Sequence, residues 1–86
     1  MKVRVKFAGA AHKRFSLTDI WLFLHDYATV EDAFIKLKEQ GVDIKPGDAT
    51  ITVLVNGRRI EFIGGLKTKL KDMDEIVLMP IIAGGL

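Results

Sequence analysis

Residues 29–41 read Thr-Val-Glu-Asp-Ala-Phe-Ile-Lys-Leu-Lys-Glu-Gln-Gly, and they decide what the rest of the chain can be. Val30, Ala33, Phe34, Leu37 and Lys38 fall at i, i+3, i+4, i+7 and i+8, the spacing that lines one side of a helix. All but Lys38 are apolar, and Lys38 can lay its methylene stem along the stripe while its ammonium stays in water. Glu31, Asp32, Lys36 and Glu39 form the polar side, with acids early and lysines late, as the helix dipole favours. Thr29 stands three residues before Asp32, near capping-box spacing, although Glu or Gln is usual at the second position. Gly41 suits the left-handed residue that stops a helix. The spacing predicts a helix over residues 30–40. A helix of that length can cover one face of one sheet and no more.

The flanks read as strand. Residues 2–7 alternate Val3, Val5 and Phe7 with Lys2, Arg4 and Lys6, the period of two that marks a half-buried strand. Small residues from Ala8 to Ala11 break the pattern, so a loop is expected to about residue 19. Residues 19–25, with Ile20-Trp21-Leu22-Phe23-Leu24 at their centre, have strand length and composition. They are expected to pair antiparallel with the first strand. Beyond the helix, Pro46-Gly47-Asp48 is a turn. Residues 50–55 and 58–62 flank Asn56-Gly57, a pair that predicts a tight hairpin. Gly64-Gly65 closes it, residues 66–70 suit a single helical turn, 71–74 a turn, and 75–79 a last strand.

The order is therefore strand, strand, helix, strand, strand, strand. With one helix on one face of a mixed sheet, and the first and last strands parallel in the middle, it is an α+β fold. That arrangement is the β-grasp, or ubiquitin-like, roll. Residues 1–80 make one domain and residues 81–86 a flexible tail.

Composition narrows the chemistry. At 86 residues the chain is one small domain that buries only about 60% of its extended surface. It has no cysteine, hence no disulfide, thiolate metal site or cysteine nucleophile. A formal charge of +2 is too small to imply nucleic acid, and no direct nucleic-acid binding is expected. No apolar run approaches a membrane span, and Met-Lys-Val-Arg-Val-Lys is no signal peptide. A soluble, cytoplasmic protein is expected.

His12 and His25 lack companions at ligand spacing, so no metal is expected. Ser16 has no triad around it. Gly64-Gly65 opens no helix and is a bend, not a phosphate loop. Asp72, Asp74 and Glu75 lack the calcium-loop spacing. Lys67, Lys69 and Lys71 read as a solvated face that could also steer an acidic partner.

Ile81-Ile82-Ala83-Gly84-Gly85-Leu86 follows Pro80, which cannot donate to a ladder. Two glycines let backbone pass where no side chain fits. Such a stretch suits a terminus made to enter a partner's narrow site. Taken alone, it reads more simply as a frayed end.

Val53-Leu54-Val55-Asn56-Gly57-Arg58, Leu70-Lys71-Asp72-Met73-Asp74-Glu75-Ile76, Pro80 and Ala83-Gly84-Gly85, taken together, resemble the MoaD/ThiS family of sulfur carriers. The resemblance covers the chain in element order and is specific in its last third. It implies that Gly85, with Gly84 behind it, presents a carboxylate to a ubiquitin-activating-type adenylating enzyme. That enzyme uses ATP; the carrier itself binds no cofactor and is not an enzyme. A sulfur donor then makes a thiocarboxylate, which the molybdopterin synthase large subunit consumes in molybdenum cofactor biosynthesis. Carriers for thiamine synthesis or tRNA thiolation, protein modifiers, and an interaction domain with an unused tail are the alternatives. The family usually ends at the second glycine, whereas Leu86 follows here. Trimming of Leu86 is the expected resolution, against accommodation by the partner or loss of the carrier role.

One helix leaves the opposite sheet face uncovered, so that face should dock partners, and the resemblance supplies the candidate residues. Phe7 and Met79 are its candidates, with core as the competing reading for each. Arg59 stands where relatives often have an apolar residue. Pro80, Ile81, Ile82 and Ala83 would line the approach to the chemistry.

Overall fold

The computed structural model describes residues 1–15, 18–45 and 47–80, without the side chains of Ala10 and His12. Strand β1 (Lys2–Phe7) lies second in a sheet ordered β2-β1-β5-β3-β4. Its partners are β2 (Asp19–Phe23), antiparallel, and β5 (Glu75–Pro80), parallel. Strand β3 (Ile51–Val55) pairs antiparallel with β5 and with β4 (Arg58–Arg59). The parallel central pair and the single long helix are those of the ubiquitin-like β-grasp roll.

Alternation sorts each strand into a core side and an open side. Val3, Val5, Phe7, Leu22, Val53, Val55, Ile76 and Leu78 are buried. They pack in one cluster with Val30, Ala33, Phe34 and Leu37 of the main helix, α2 (Val30–Glu39). Burying each such aliphatic side chain contributes about 1.5–3 kcal/mol. The α2 start is closed by a full capping box. The Thr29 backbone N–H donates to Asp32 Oδ2 at 2.9 Å, and the Asp32 N–H donates to Thr29 Oγ1 at 3.4 Å. The Thr29 backbone N–H is the main reason the Asp32 carboxyl sits below its ordinary 3.8, and it outweighs the opposing effect of burial. Gly41 follows at φ 90°, the left-handed stop its position demanded.

Asn56 and Gly57 carry φ of 50° and 84°, the paired positive values of a two-residue hairpin. Asn56 also anchors the last strand: its Nδ2 donates to Asp74 Oδ1 at 2.8 Å and its Oδ1 accepts the Glu75 N–H at 2.9 Å.

Four expectations need correction. The stretch after β1 is not all loop, for Ala10–Phe15 form a short helix, α1. Alanines are strong helix formers. Ala11 is fully buried, and the Phe15 ring packs 5.6 Å from that of Phe7. So short a helix offers too few positions for its period to show in sequence. The strand expected over residues 58–62 stops at Arg59, and Ile60–Phe62 form a 3₁₀ turn. That turn drives Ile60 into the core and leaves Phe62 on the surface, whereas alternation would have put both on one side. Strand β2 ends at Phe23, two residues early. The helical turn expected within 66–70 is a 3₁₀ turn at Gly65–Lys67.

Candidate functional site

The residues best placed to act are those on the open face at the root of residues 81–86. Register puts Asp19, Lys6, Val77, Leu54 and Arg59 in one row across all five strands. The next row pairs Met79 with Thr52. Val77, Leu54 and Thr52 are half-buried, and Met79 is 41% exposed. The result is an apolar strip over β5 and β3, bounded by Lys6 on one side and Arg59 on the other.

Both cations are held by acids of their own chain. Lys6 Nζ lies 3.5 Å from Glu75 Oε2, and Arg59 Nη2 lies 2.8 Å from Glu61 Oε2. The Glu61 carboxyl is kept below its ordinary 4.5 first by its own backbone N–H and then by Arg59. Arg59 also covers the Phe62 ring at 5.5 Å. On the far side of the face, Arg4 pairs with Asp19, its Nε donating to Oδ2 at 2.9 Å. Because the charges that border it are paired within the chain, the apolar strip can lose water without stranding an ion.

Met79 and Arg59 thus lie on the open face, where they were expected. Phe7 does not: it is 5% exposed, points to the α2 side, and belongs to the core. Pro80 is half-buried, on the core side, opposite Ile51 in the ladder. Ile81, Ile82, Ala83, Gly84, Gly85 and Leu86 lie outside the described residues, as do Ser16 and the His12 side chain. Val77 and Leu54 were not singled out in the sequence. The period of two that placed Met79 on this face also places Val77 there, and the same count along β3 delivers Leu54.

A second recess, of about 530 Å³, lies around the β3 edge, with Phe34, Ile44 and Ile60 among its lining and Lys45, Asp48, Arg59 and Glu61 at its rim. Thr50 holds the Asp48 carboxyl low, and Arg59 engages Glu61, so the acids there are already satisfied. Among the described residues no group of His, Cys, Asp and Glu could hold a metal ion, and no helix is long and apolar enough to cross a membrane.

A mixed five-stranded roll with one long helix, its first and last strands side by side and parallel, defines the ubiquitin-like β-grasp class. Within it, the chain belongs to the ThiS family, whose profile matches residues 8–85 and so takes in Gly84 and Gly85. A curated relative in Archaeoglobus fulgidus, described as a sulfur carrier protein, is 40% identical over 35 residues. That match spans 41% of this chain and 40% of the relative's length. The small archaeal modifier protein 1 of Methanosarcina acetivorans is 28% identical, with a TM-score of 0.76 over 98% of this chain and 96% of that one. A chain from the complex of subunits 1 and 2 of the Helicobacter pylori molybdopterin-converting factor is 25% identical, with a TM-score of 0.67 over 99% and 100%. The chain is therefore of the MoaD/ThiS type, in a group that holds both sulfur carriers and ubiquitin-like modifiers.

Proposed function

We propose that this protein carries sulfur on the carboxylate of Gly85, exposed once Leu86 is removed, and gives it up in molybdopterin synthesis. A carboxylate is a poor electrophile because its oxygen is a poor leaving group. A partner enzyme of the ubiquitin-activating type transfers AMP from ATP to that oxygen and releases pyrophosphate. A sulfide-level donor then attacks the acyl carbon, AMP departs, and a thiocarboxylate remains. The carrier supplies position, not acid, base or nucleophile. The strip of Met79, Val77 and Leu54 docks on the partner, Lys6 and Arg59 set the register, and residues 81–85 reach the reacting atoms.

The observation that carries this reading is the extent of the family match, which runs through Gly84-Gly85 and stops short of Leu86. The proposed partners are the adenylating enzyme and a large catalytic subunit. Support for the second comes from the likeness to a chain of the Helicobacter pylori complex. The test is to incubate protein ending at Gly85 with an activating enzyme, ATP and a sulfur donor, and to weigh the product. Exchange of one oxygen for sulfur at Gly85 supports the carrier. Tight binding without adenylation supports a plain interaction domain instead.

A second reading is favoured by the likeness to the archaeal modifier over nearly the whole chain. There the same activated carboxyl is taken by a lysine amine, and an isopeptide replaces the thiocarboxylate. Offering the adenylate both acceptors separates the two.

A further inference from the structure

Strand β2 has a bare edge, and its hydrogen-bond phase can be worked out. Met1 and Leu24 exchange both backbone hydrogen bonds at 2.8 Å, and the Phe7 N–H donates to the Thr18 carbonyl at 2.8 Å. In an antiparallel ladder the bonded pairs recur every second residue. Leu24, Leu22 and Ile20 therefore spend their backbone groups on β1, and Asp19, Trp21 and Phe23 turn theirs outward. Among the described residues those outward groups have no backbone partner, and β2 ends the sheet.

Proteins normally guard such an edge with lysine, proline, a bulge or a covering loop. Here the strand reads Asp-Ile-Trp-Leu-Phe. Trp21 is 40% and Phe23 69% exposed, and both lie on the open face beside Lys2 and Arg4. Lys2 Nζ and Arg4 Cζ sit 5.1 and 5.9 Å from the centre of the Trp21 ring, which pins the indole against its own sheet. Asp19, the one charge on the strand, is already paired with Arg4.

We infer that β2 is the interface for a second copy of this chain, joined edge to edge and antiparallel about a two-fold axis at Trp21. A centre at Trp21 closes on itself, because that residue offers an outward donor and an outward acceptor. It sets Asp19 of one copy across from Phe23 of the other, so neither acid meets an acid. Ile20 of one copy meets Leu22 of the other on the core side, which extends the apolar layer from sheet to sheet. The charge pattern thus admits a second copy, since Asp19 is already paired with Arg4 and faces the apolar Phe23 of the other chain. Five residues make a small contact, so the dimer forms reversibly, in the micromolar-to-millimolar range. Met79, Val77 and Arg59 lie two or more strands away and stay clear of it. The inference does not rest on the carrier chemistry proposed above.

The test uses the full chain in sedimentation velocity at rising concentration, with amide hydrogen exchange alongside. The expected result is a shift from 9.6 kDa towards twice that mass. Exchange of the Trp21 and Phe23 amides should slow by roughly tenfold or more with concentration, while Ile20 and Leu22 are protected throughout. Phe23→Lys, which alters an exposed side chain and adds a guard lysine, should leave the fold intact and keep the chain monomeric. A parent chain that stays monomeric to millimolar concentration overturns the inference. So does a dimer that survives Phe23→Lys, or one that leaves the Trp21 and Phe23 amides unprotected. A monomer that instead takes up an unrelated extended peptide at this edge overturns it as well.

Discussion

Pro80 stands opposite Ile51 in the β5–β3 ladder, so the last described residue of the central strand is fixed against the first residue of β3. The root of residues 81–86 is thereby held by the sheet itself, one residue beyond Met79 on the open face. A partner that grips Met79, Val77 and Leu54 is therefore held at a set distance from Pro80, where residues 81–86 begin. Under the proposed carrier role, a fixed starting point shortens the search that residues 81–85 must make for the reacting atoms.

The docking face can be tested apart from the fold. Met79→Glu and Arg59→Glu change exposed side chains and should leave thermal unfolding nearly unchanged. Each should weaken binding of an activating enzyme by about tenfold or more, roughly 1.4 kcal/mol, in isothermal titration. Full affinity in both variants would remove this face from the site.

Phe7 offers the opposite case. As a core residue packed against Phe15, its replacement by alanine should cost about 3–5 kcal/mol in urea unfolding. The equally aromatic but 78% exposed Phe62 should change by less than about 0.5 kcal/mol on the same substitution. Comparable losses in the two would contradict the placement of Phe7.

Much of this was legible before any coordinates, and the reasons are local. Strict alternation in residues 2–7, the helical spacing from Val30 to Lys38 and the positive-φ pair Asn56-Gly57 each need only near neighbours to be read. Where a distant contact decides, the sequence misleads. Ile60 leaves the strand because the core has room for it, and α1 exists because Ala11 and Phe15 find partners in β1 and β5. Phe7 was open to two readings because alternation sets it with Val3 and Val5, while the family resemblance sets it on the docking face. Val77 and Leu54 went unnoticed because small aliphatic residues in strands carry no functional signal until the rows of the sheet are known.

The α2 cap gives a pH signature. Thr29→Ala should destabilise by about 1 kcal/mol near neutral pH. Asp32 titrates below its ordinary 3.8 when folded. Its contribution is therefore whole above that value and is lost as pH falls through the lower folded value. The stability gap between the parent and Asp32→Asn should accordingly shrink in strong acid, read by urea unfolding across the acid range. A gap that widened there would reverse the sign.

Gly57 holds φ at 84°, where a Cβ is strained although nothing crowds it. Gly57→Ala should cost about 1–2 kcal/mol from backbone alone, and Gly57→Asn less, because Asn tolerates that region. Equal losses would point to lost space in place of strain. Differential scanning calorimetry resolves differences of this size.

The most direct measurement is intact mass of the chain ending at Gly85 after exposure to an activating enzyme, ATP and a sulfur donor. The expected product is a terminal thiocarboxylate at Gly85, formed on the Gly85 chain and not on one still bearing Leu86. A Gly85 chain that binds the enzyme yet yields neither adenylate nor thiocarboxylate contradicts the carrier role.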